Sequence, residues 1–537
     1  VREIGRGGYH ASQIGRRLRG WEAERRTINA LLATGGEELR ARARQLCREN
    51  PYASNAKDAF VGAAVGSGIK PSSQHGDKDT RAAIQDKFLQ WTDEADADGL
   101  TDFYGLLALA AGAMFEAGEC FVRFRSRRPE DGLSVPLQLQ LYESEMLPYT
   151  KNETAPNGNI IREGIEFDKN IPSRRVAYHF YKAHPGELYP VLADFSFNRV
   201  PATEVLHLYR PLRPGQIRGQ PQLTPSMVRL YLLDIQDDAE LARKQVATLF
   251  AGFVSKKSPV SPDPLTRQPA EDGGDEGTGE PVSDDTSIVP MEPGQIQVLN
   301  DDEQITFSSP SEVGGSYEAF QWRSLLAIAA GCGVPYADVT TDTSQASYSS
   351  DRADQIKFRR RMDQFQHMTL VFQFCRPVWQ RWFRVAVLAG AIPVTPRDLA
   401  ANPYGVTKAK WIPPKWDWVD PLKDRKAMQV AVDNGWMARS DVVEMEGEEP
   451  EDTDARIQAD RQREVEMDLG FRPVAIKENV NIAATATDPD AAVKAATTGG
   501  DDPEGDEAPP AAKLGRSGAT KSGAATARTS VPSIGRR

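Results

Sequence analysis

A chain of 537 residues with 40% hydrophobic and 8% aromatic residues can build more than one buried core, and 26% charged residues is an ordinary share. A formal net charge of -11 and a sequence pI of about 5.3 exclude a surface that grips phosphates everywhere. Nucleic acid would have to be met by a local basic patch or by sliding contact. Cys47, Cys120, Cys332 and Cys375 form no CxxC pair, and the six histidines form no HExxH, so neither a zinc site nor a disulfide framework is expected. The cysteines read as small buried residues in a reducing cytoplasm. No segment reaches the roughly 18 to 20 apolar residues that span a bilayer, and the arginine-rich start lacks the apolar stretch of a signal peptide.

In chain order, residues 1–26 carry seven arginines among Gly and Ser and read as a flexible basic arm. Helices are predicted over Glu37–Glu49, limited by Pro51, over Thr80–Glu94, with Ile84, Phe88 and Trp91 on one face, and over Phe103–Ala117, apolar on most sides. The period then changes to two. Strands are predicted over Cys120–Ser126, Val135–Glu143, Asn159–Phe167, Arg175–Lys182 and Val205–Tyr209, with Asn157-Gly158 as a two-residue hairpin turn. Thr224-Pro225 is expected to cap a long helix with Met227, Tyr231, Ile235, Ala239, Ala242, Val246 and Leu249 on one face. Residues 258–290 hold hardly any apolar content and read as a mobile loop. Short strands at Ile296–Leu299 and Gln304–Phe307 follow, then a helix over Ser316–Ala330. After the polar stretch Asp338–Ser350, a helix opens at Ser350-Asp351 with Phe358, Met362, Phe365 and Phe372 on one side, kinked at Pro377 and running to Leu388. A Pro/Trp-rich linker (393–421), helices over 422–434 and 438–468, and a disordered tail from about 481 complete the chain.

Enzyme signatures are missing. There is no GxxxxGK[ST] loop and no GxSxG elbow. Gly62, Gly66 and Gly68 read as a turn, and Glu143 and Glu145 as a solvated strand face rather than a glycosidase-like pair. The densest positive run of the folded part is Lys357, Phe358, Arg359, Arg360, Arg361. It is either a solvated or intersubunit face or a contact for a phosphate backbone.

Five segments, in order, resemble the lambda-type portal family of tailed phages. They are Arg40-Ala41-Arg42-Ala43-Arg44-Gln45-Leu46-Cys47-Arg48-Glu49-Asn50-Pro51 with the Val61-Gly62 and Gly66–Lys70 turn; Ala117-Gly118-Glu119 leading into Phe121–Arg125; Arg213-Pro214-Gly215-Gln216-Ile217-Arg218-Gly219-Gln220-Pro221; Tyr348-Ser349-Ser350-Asp351-Arg352; and Trp416-Asp417-Trp418-Val419-Asp420-Pro421-Leu422-Lys423-Asp424. The long acidic insertion after Lys257 and the tail depart from the family.

The resemblance implies an α+β portal-type subunit without enzymatic activity, cofactor or metal. Its expected parts are a basic arm (1–29), an α/β wing (30–223), a first stem helix (224–250), a clip (251–310), a second stem helix (311–335), a tunnel loop (336–350), a long kinked helix returning to the wing (351–421), crown helices (422–480) and the tail (481–537). It further implies a ring homo-oligomer, typically dodecameric, at one capsid vertex of the virion, assembled in the host cytoplasm, with no membrane. The ring would be a conduit for packaging and ejecting double-stranded DNA and would meet the terminase large subunit, the major capsid protein and a head-tail adaptor. Thr340, Thr341, Asp342, Thr343, Ser344 and Gln345 would line the channel, and Lys357, Arg359 and Arg360 would contact DNA or a neighbouring subunit. The competing readings are a nucleic-acid-processing enzyme such as a nuclease, which would need clustered metal-binding carboxylates, and another structural phage head protein.

Overall fold

The computed structural model describes residues 20, 23–187, 196–248, 252–256, 303–307, 314–344, 347–416 and 421–469. Most of the arm, the loop 258–290, the strand expected at Ile296–Leu299 and the tail lie outside the described residues. The chain divides into two compact units, Val1–Asp460 and Arg461–Arg537; in the second, the described residues are 461–469.

Helix α1 (Ile28–Glu49) begins ahead of the expected Glu37 because Thr27 caps it, its Oγ1 accepting from the Ala30 N–H at 3.2 Å. Asn50 closes α1 and opens α2 (Pro51–Val65). Its N–H donates to Leu46 O at 2.9 Å, and its side chain accepts from the Tyr52 and Ala53 N–H groups. Gly62 therefore lies inside a helix, and only Gly66 and Gly68, at φ 49° and 108°, make the turn. The buried face of α2 is Ala53, Ala56, Phe60 and Ala64, too small-sided to mark a period in the sequence. Strand β1 (Lys70–Ser73) follows, then α3 (Lys78–Thr92) and α4 (Phe103–Glu116), capped by Asp77 and Asp102.

Strands β2 (Glu119–Ser126) and β3 (Leu137–Tyr142) are joined by β9 (Val205–Tyr209) in an antiparallel sheet of order β3-β2-β9. Between β3 and β9 the chain forms an antiparallel meander, β4 (Glu153–Thr154), β5 (Ile160–Arg162), β6 (Ile165–Phe167), β7 (Arg175–Tyr181) and β8 (Phe197–Pro201). The expected strand Asn159–Phe167 is thus two strands. The two-residue hairpin turn falls at Glu163-Gly164, at φ 51° and 78°, and not at Asn157-Gly158. Asn157 and Gly158 instead end a longer loop: the Gly158 N–H donates to Ala155 O, and Gly158 takes φ 81° as a bulge residue. Phe121, Tyr178, Phe180, Val205, Leu147 and Ile217 fill the space between the two sheets.

Helix α5 (Met227–Thr248) starts later than expected, because Thr224 Oγ1 donates back to Pro221 O and residues 224–226 form a turn. Its buried side chains are Met227, Leu230 and Leu233, whereas Tyr231 and Ile235 of the expected face are exposed. Strands β10 (Gly252–Lys256) and β11 (Glu303–Phe307) pair antiparallel across the insertion, and α6 (Gly314–Cys332) returns along α5. Ser226 Oγ donates to Ile328 O at 2.8 Å, and a Cβ on Gly331 would stand 2.1 Å from Ser226 Oγ, so a side chain there would displace the hydroxyl from this bond.

After α7 (Tyr336–Thr340), α8 (Tyr348–Phe365) continues through a π-helical stretch, Gln366–Cys375, into α9 (Arg376–Leu388). Pro377 sits in the first turn of α9, and the irregularity expected at it is spread over the ten residues before it. A π-helix turns less per residue than an α-helix, so Phe372 falls behind the face of Phe358, Met362 and Phe365 and stands 62% exposed. Leu370, Phe374 and Cys375 take its place in the core. Gln366 and Gln373 tie the stretch down. Gln366 donates to the carbonyls of Ala63 and Ala64 at the end of α2, and the Gln373 amide exchanges two 3.0 Å bonds with the Tyr209 backbone, closing the free edge of β9.

The stretch read as a linker holds α10 (Pro396–Ala401), α11 (Pro403–Thr407) and β12 (Ala409–Ile412), which pairs antiparallel with β1. The large core of this unit centres on Phe88, Trp91, Phe103, Phe374, Trp379 and Trp382. Helix α12 (Pro421–Asp433) follows, and the single helix expected over 438–468 is broken at Gly447, φ 79°, into α13 (Arg439–Met445) and α14 (Pro450–Glu466). The four cysteines are buried and free, and burial pushes the Cys47 and Cys120 thiols up to about 12.

Candidate functional site

The polar stretch between α6 and α8 is not a free loop along its whole length. Tyr336–Thr340 forms one helical turn, and Val339 is buried in the core, an apolar anchor inside the stretch read as polar. Asn55 of α2 donates to the carbonyls of Asp338 and Val339 at 2.7 and 3.0 Å. Burial raises the Asp338 carboxyl against the bond it receives from Gln355.

Beyond this anchor the chain turns at Thr341 (φ 58°). Asp342 accepts from the Ser344 N–H at 2.9 Å and the Tyr336 hydroxyl at 3.1 Å, and these bonds hold its carboxyl below the usual range. Thr340 is half-buried, whereas Thr341, Thr343 and Ser344 are exposed; Gln345 lies outside the described residues. Between the buried Val339 and the start of α8, the described part of the stretch that reaches solvent is the tip Thr341–Ser344. Helix α8 opens at Tyr348 rather than at Ser350, because Ser347 and Ser350 cap one another reciprocally.

Lys357, Arg359 and Arg360 do not act as one group. Lys357 and Arg360 are exposed, and Lys357 pairs with Asp354 at 3.0 Å. Arg359 is half-buried on another side of α8, its guanidinium 5.5 Å from the Trp416 ring centre. The Trp416 indole donates to Asp363 at 3.2 Å, and Arg352 pairs with Asp424 at 3.0 Å. The fourth and fifth resemblance segments are thus neighbours in space.

The other three converge on a buried polar cluster that sequence reasoning missed. Glu119 is fully buried at the start of β2. Its Oε1 accepts from Arg218 Nη2 at 2.6 Å, Arg218 Nε at 2.8 Å and Ser144 Oγ at 2.6 Å. Its Oε2 accepts from the Gly219 N–H at 2.7 Å and faces His207 Nε2 at 3.0 Å. Arg40 of α1 donates to Ser144 and lies 3.8 Å from Glu119. Arg218 also donates to the carbonyls of Glu163 and Leu147 and stacks 4.0 Å from the Tyr149 ring centre. A Cβ on Gly219 would lie 2.1 Å from Gly118 O, so both glycines are needed for the two segments to meet.

Burial alone would raise the Glu119 carboxyl, but Arg218 and His207 hold it well below the usual range. Burial lowers His207 to about 4 despite its bond to Glu119, so the imidazole is neutral, Nε2–H donates to Glu119, and Nδ1 faces Arg175 at 3.4 Å. Glu163 is the strained member. It is buried at positive φ, its Oε2 has no partner, and burial raises its carboxyl to about 7.

Next to this cluster Arg44 takes Glu145 bidentately at 2.9 and 3.0 Å and reaches Glu116 and Glu143 at 3.1 Å each. Glu143, exposed, and Glu145, half-buried, thus share one guanidinium. With His184 they make the only group among the described residues whose ligand atoms could converge on a cation, and Arg44 stands on both carboxylates.

The segments carrying the resemblance thus lie at joints of the fold. The lambda family of phage portal proteins matches residues 14–366, well over half of the chain. The chain belongs to that family. It is 26% identical over 438 residues to the probable portal protein of Halomonas phage phiHAP-1, covering 80% of each chain. It is 24% identical over 382 residues to the portal protein of Escherichia phage N15, covering 64% of this chain and 69% of the relative. Against portal protein B of Escherichia phage lambda the figures are 23% over 374 residues, 64% and 68%. Among solved structures, a neck of an empty gene transfer agent particle is 14% identical at a TM-score of 0.41, covering 79% of this chain and 94% of that one. These relatives are named as portal proteins and not as enzymes, in keeping with the expected lack of enzymatic activity. A portal protein is a component of the phage particle, and no helix among the described residues is long and apolar enough to cross a membrane.

Proposed function

We propose that the chain is the subunit of a closed ring, a dodecamer, at the unique vertex of a phage capsid, serving as conduit for double-stranded DNA in packaging and ejection. The observation that carries this reading is the outer face of α5. Val228, Tyr231, Leu232 and Ile235 stand 71%, 60%, 57% and 48% exposed along one side of the helix. A contiguous exposed apolar stripe marks an interaction surface, and a rotational interface between identical subunits covers it without leaving an open end.

In this reading residues 30–223 with α8–α11 form the wing, α5 and α6 the stem, the β10–β11 pair the base of the clip, and α12, α13 and α14 the crown. The exposed tip Thr341–Ser344, with Thr340 and Gln345, faces the lumen, where short polar side chains meet DNA without a deep hold. Lys357 and Arg360 contact DNA or a neighbouring subunit, and Arg359 supports them through Trp416. The terminase large subunit and the head-tail adaptor dock at the clip, the major capsid protein meets the wing, and assembly takes place in the host cytoplasm.

Native mass spectrometry and electron microscopy test the ring. The intact chain should give one high oligomer with a central hole, and Ile235→Asp should yield folded monomers. A monomeric intact chain at micromolar concentration would overturn the reading.

A further inference from the structure

A second basic surface stands apart from the channel segment. Strand β2 places Arg123 and Arg125 on one face, and Arg127 and Arg128 follow where the strand ends. Alternate residues of a strand are about 6.8 Å apart, twice the roughly 3.4 Å axial rise between successive phosphates of one DNA strand.

Arg44, Arg199, Arg218, Arg352 and Arg381 each sit on a carboxylate. The β2 row is held by neutral acceptors on β3. Arg123 donates to the Tyr142 hydroxyl at 3.1 Å, Arg125 to Gln140 Oε1 at 2.9 Å and the Tyr142 hydroxyl at 2.9 Å, and Arg127 to Gln138 Oε1 at 2.7 Å.

The acidic groups nearby are otherwise engaged. Asp131 accepts from the Arg128 backbone N–H at 3.0 Å, Asp98 from Gln140 at 3.1 Å, and Glu94 from the Ser134 N–H at 2.7 Å. Among the described residues no carboxylate lies within ion-pair distance of the four guanidiniums. Neutral acceptors orient the arginines and leave them without a direct ion pair, and Arg127 and Arg128 are exposed. In a chain of net charge -11 such a row is a local concentration of positive charge.

We propose that the arginine row Arg123, Arg125, Arg127 and Arg128 is a sequence-independent docking strip for the phosphate backbone of duplex DNA, separate from the channel segment. The strip reads no bases: guanidiniums spaced along a strand take phosphate oxygens, and affinity follows counterion release. The proposal draws on the portal reading only for the source of the DNA, and binding to it does not require the ring.

The test is fluorescence anisotropy of the full chain with a short labelled duplex, in two unrelated sequences, across a salt series. A poly-glutamate peptide serves as second probe. The intact chain should bind both duplexes equally. The triple variant Arg125→Gln, Arg127→Gln, Arg128→Gln should weaken binding at least about tenfold and lower the log-log salt slope by about 0.9 per arginine removed. Replacing the same three by lysine should restore most of the slope. Arg42→Gln, an exposed arginine paired with Glu38, should change nothing. Equal affinity and slope in the triple Gln variant overturn the proposal. So does arginine-dependent binding of poly-glutamate without duplex binding, which would assign the strip to an acidic protein. Native mass spectra of the same samples keep the ring separate: duplex binding by a chain that forms no ring supports the strip and overturns the ring.

Discussion

Replacing Arg218 by methionine tests whether the Glu119 cluster holds the two sheets and α1 together. The substitution keeps much of the volume but leaves Glu119, fully buried, without its main counter-charge. It also removes the bonds that Arg218 donates to the Glu163 and Leu147 carbonyls. Breaking a buried pair by removing one partner costs about 3–5 kcal/mol, because the remaining charge stays desolvated. The Gly219 N–H, Ser144 and His207 still hold Glu119, which places the expected loss near the lower end, about 3 kcal/mol. Urea denaturation followed by tryptophan fluorescence measures it. The double variant Glu119→Gln, Arg218→Met removes both charges and should recover at least half of the loss, since the pair and not the hydrophobic volume is what breaks. A single-variant loss under about 1 kcal/mol, or a double variant no more stable than the single, would refute the cluster as a structural joint.

Three further expectations follow from the same geometry. His207, neutral with a folded value of about 4 against 6.5 in the unfolded chain, contributes stability that is complete above pH 6.5 and declines by about 3 kcal/mol as pH falls toward 4; His207→Gln should flatten that part of a pH–stability curve. Glu163 has the opposite sign. Its folded value of about 7 lies above 4.5, so it favours the fold fully only below pH 4.5 and loses that contribution as pH rises through 7; Glu163→Gln should stabilise the chain at pH 8 and not at pH 4, read from denaturant midpoints. Replacing Thr340–Gln345 by Gly/Ser should leave ring assembly unchanged and lower the DNA packaged or retained, measured as nuclease-protected DNA per particle; unchanged packaging and retention would sink the channel assignment.

The first helices of the chain were legible where large side chains recur at helical spacing, as with Ile84, Phe88 and Trp91 on α3. Helix α2 was not, because alanines bury little area each and leave no contrast between its faces. Asn157-Gly158 has the residues of a tight turn, yet the tight turn formed at Glu163-Gly164. Pairing of Arg162 with Ile165 requires φ > 0 at Glu163, a position no local preference would choose. The expected face of α8 failed at Phe372 for a similar reason: bonds from Gln366 to α2 and from Gln373 to β9 hold a π-helix that periodicity cannot express.

Composition, period and motif order by themselves determined the α+β class, the long helices on either side of the acidic insertion, and the family resemblance of Arg40–Pro51, Glu119 and Arg213–Pro221. These depend on local propensity and on residues adjacent in the chain. Only the tertiary structure decided what those residues do. Arg40, Glu119, His207 and Arg218 become one buried cluster because β2, β9, α1 and the turn after β9 meet there, with Gly118 and Gly219 leaving room for the contact. The same holds for the candidate site. The polar character of Thr340–Gln345 is written in the chain, but Val339 in the core and Asn55 on α2 select which of those residues reach water. Burial of a charge is set by partners far apart in sequence, and no local pattern encodes them.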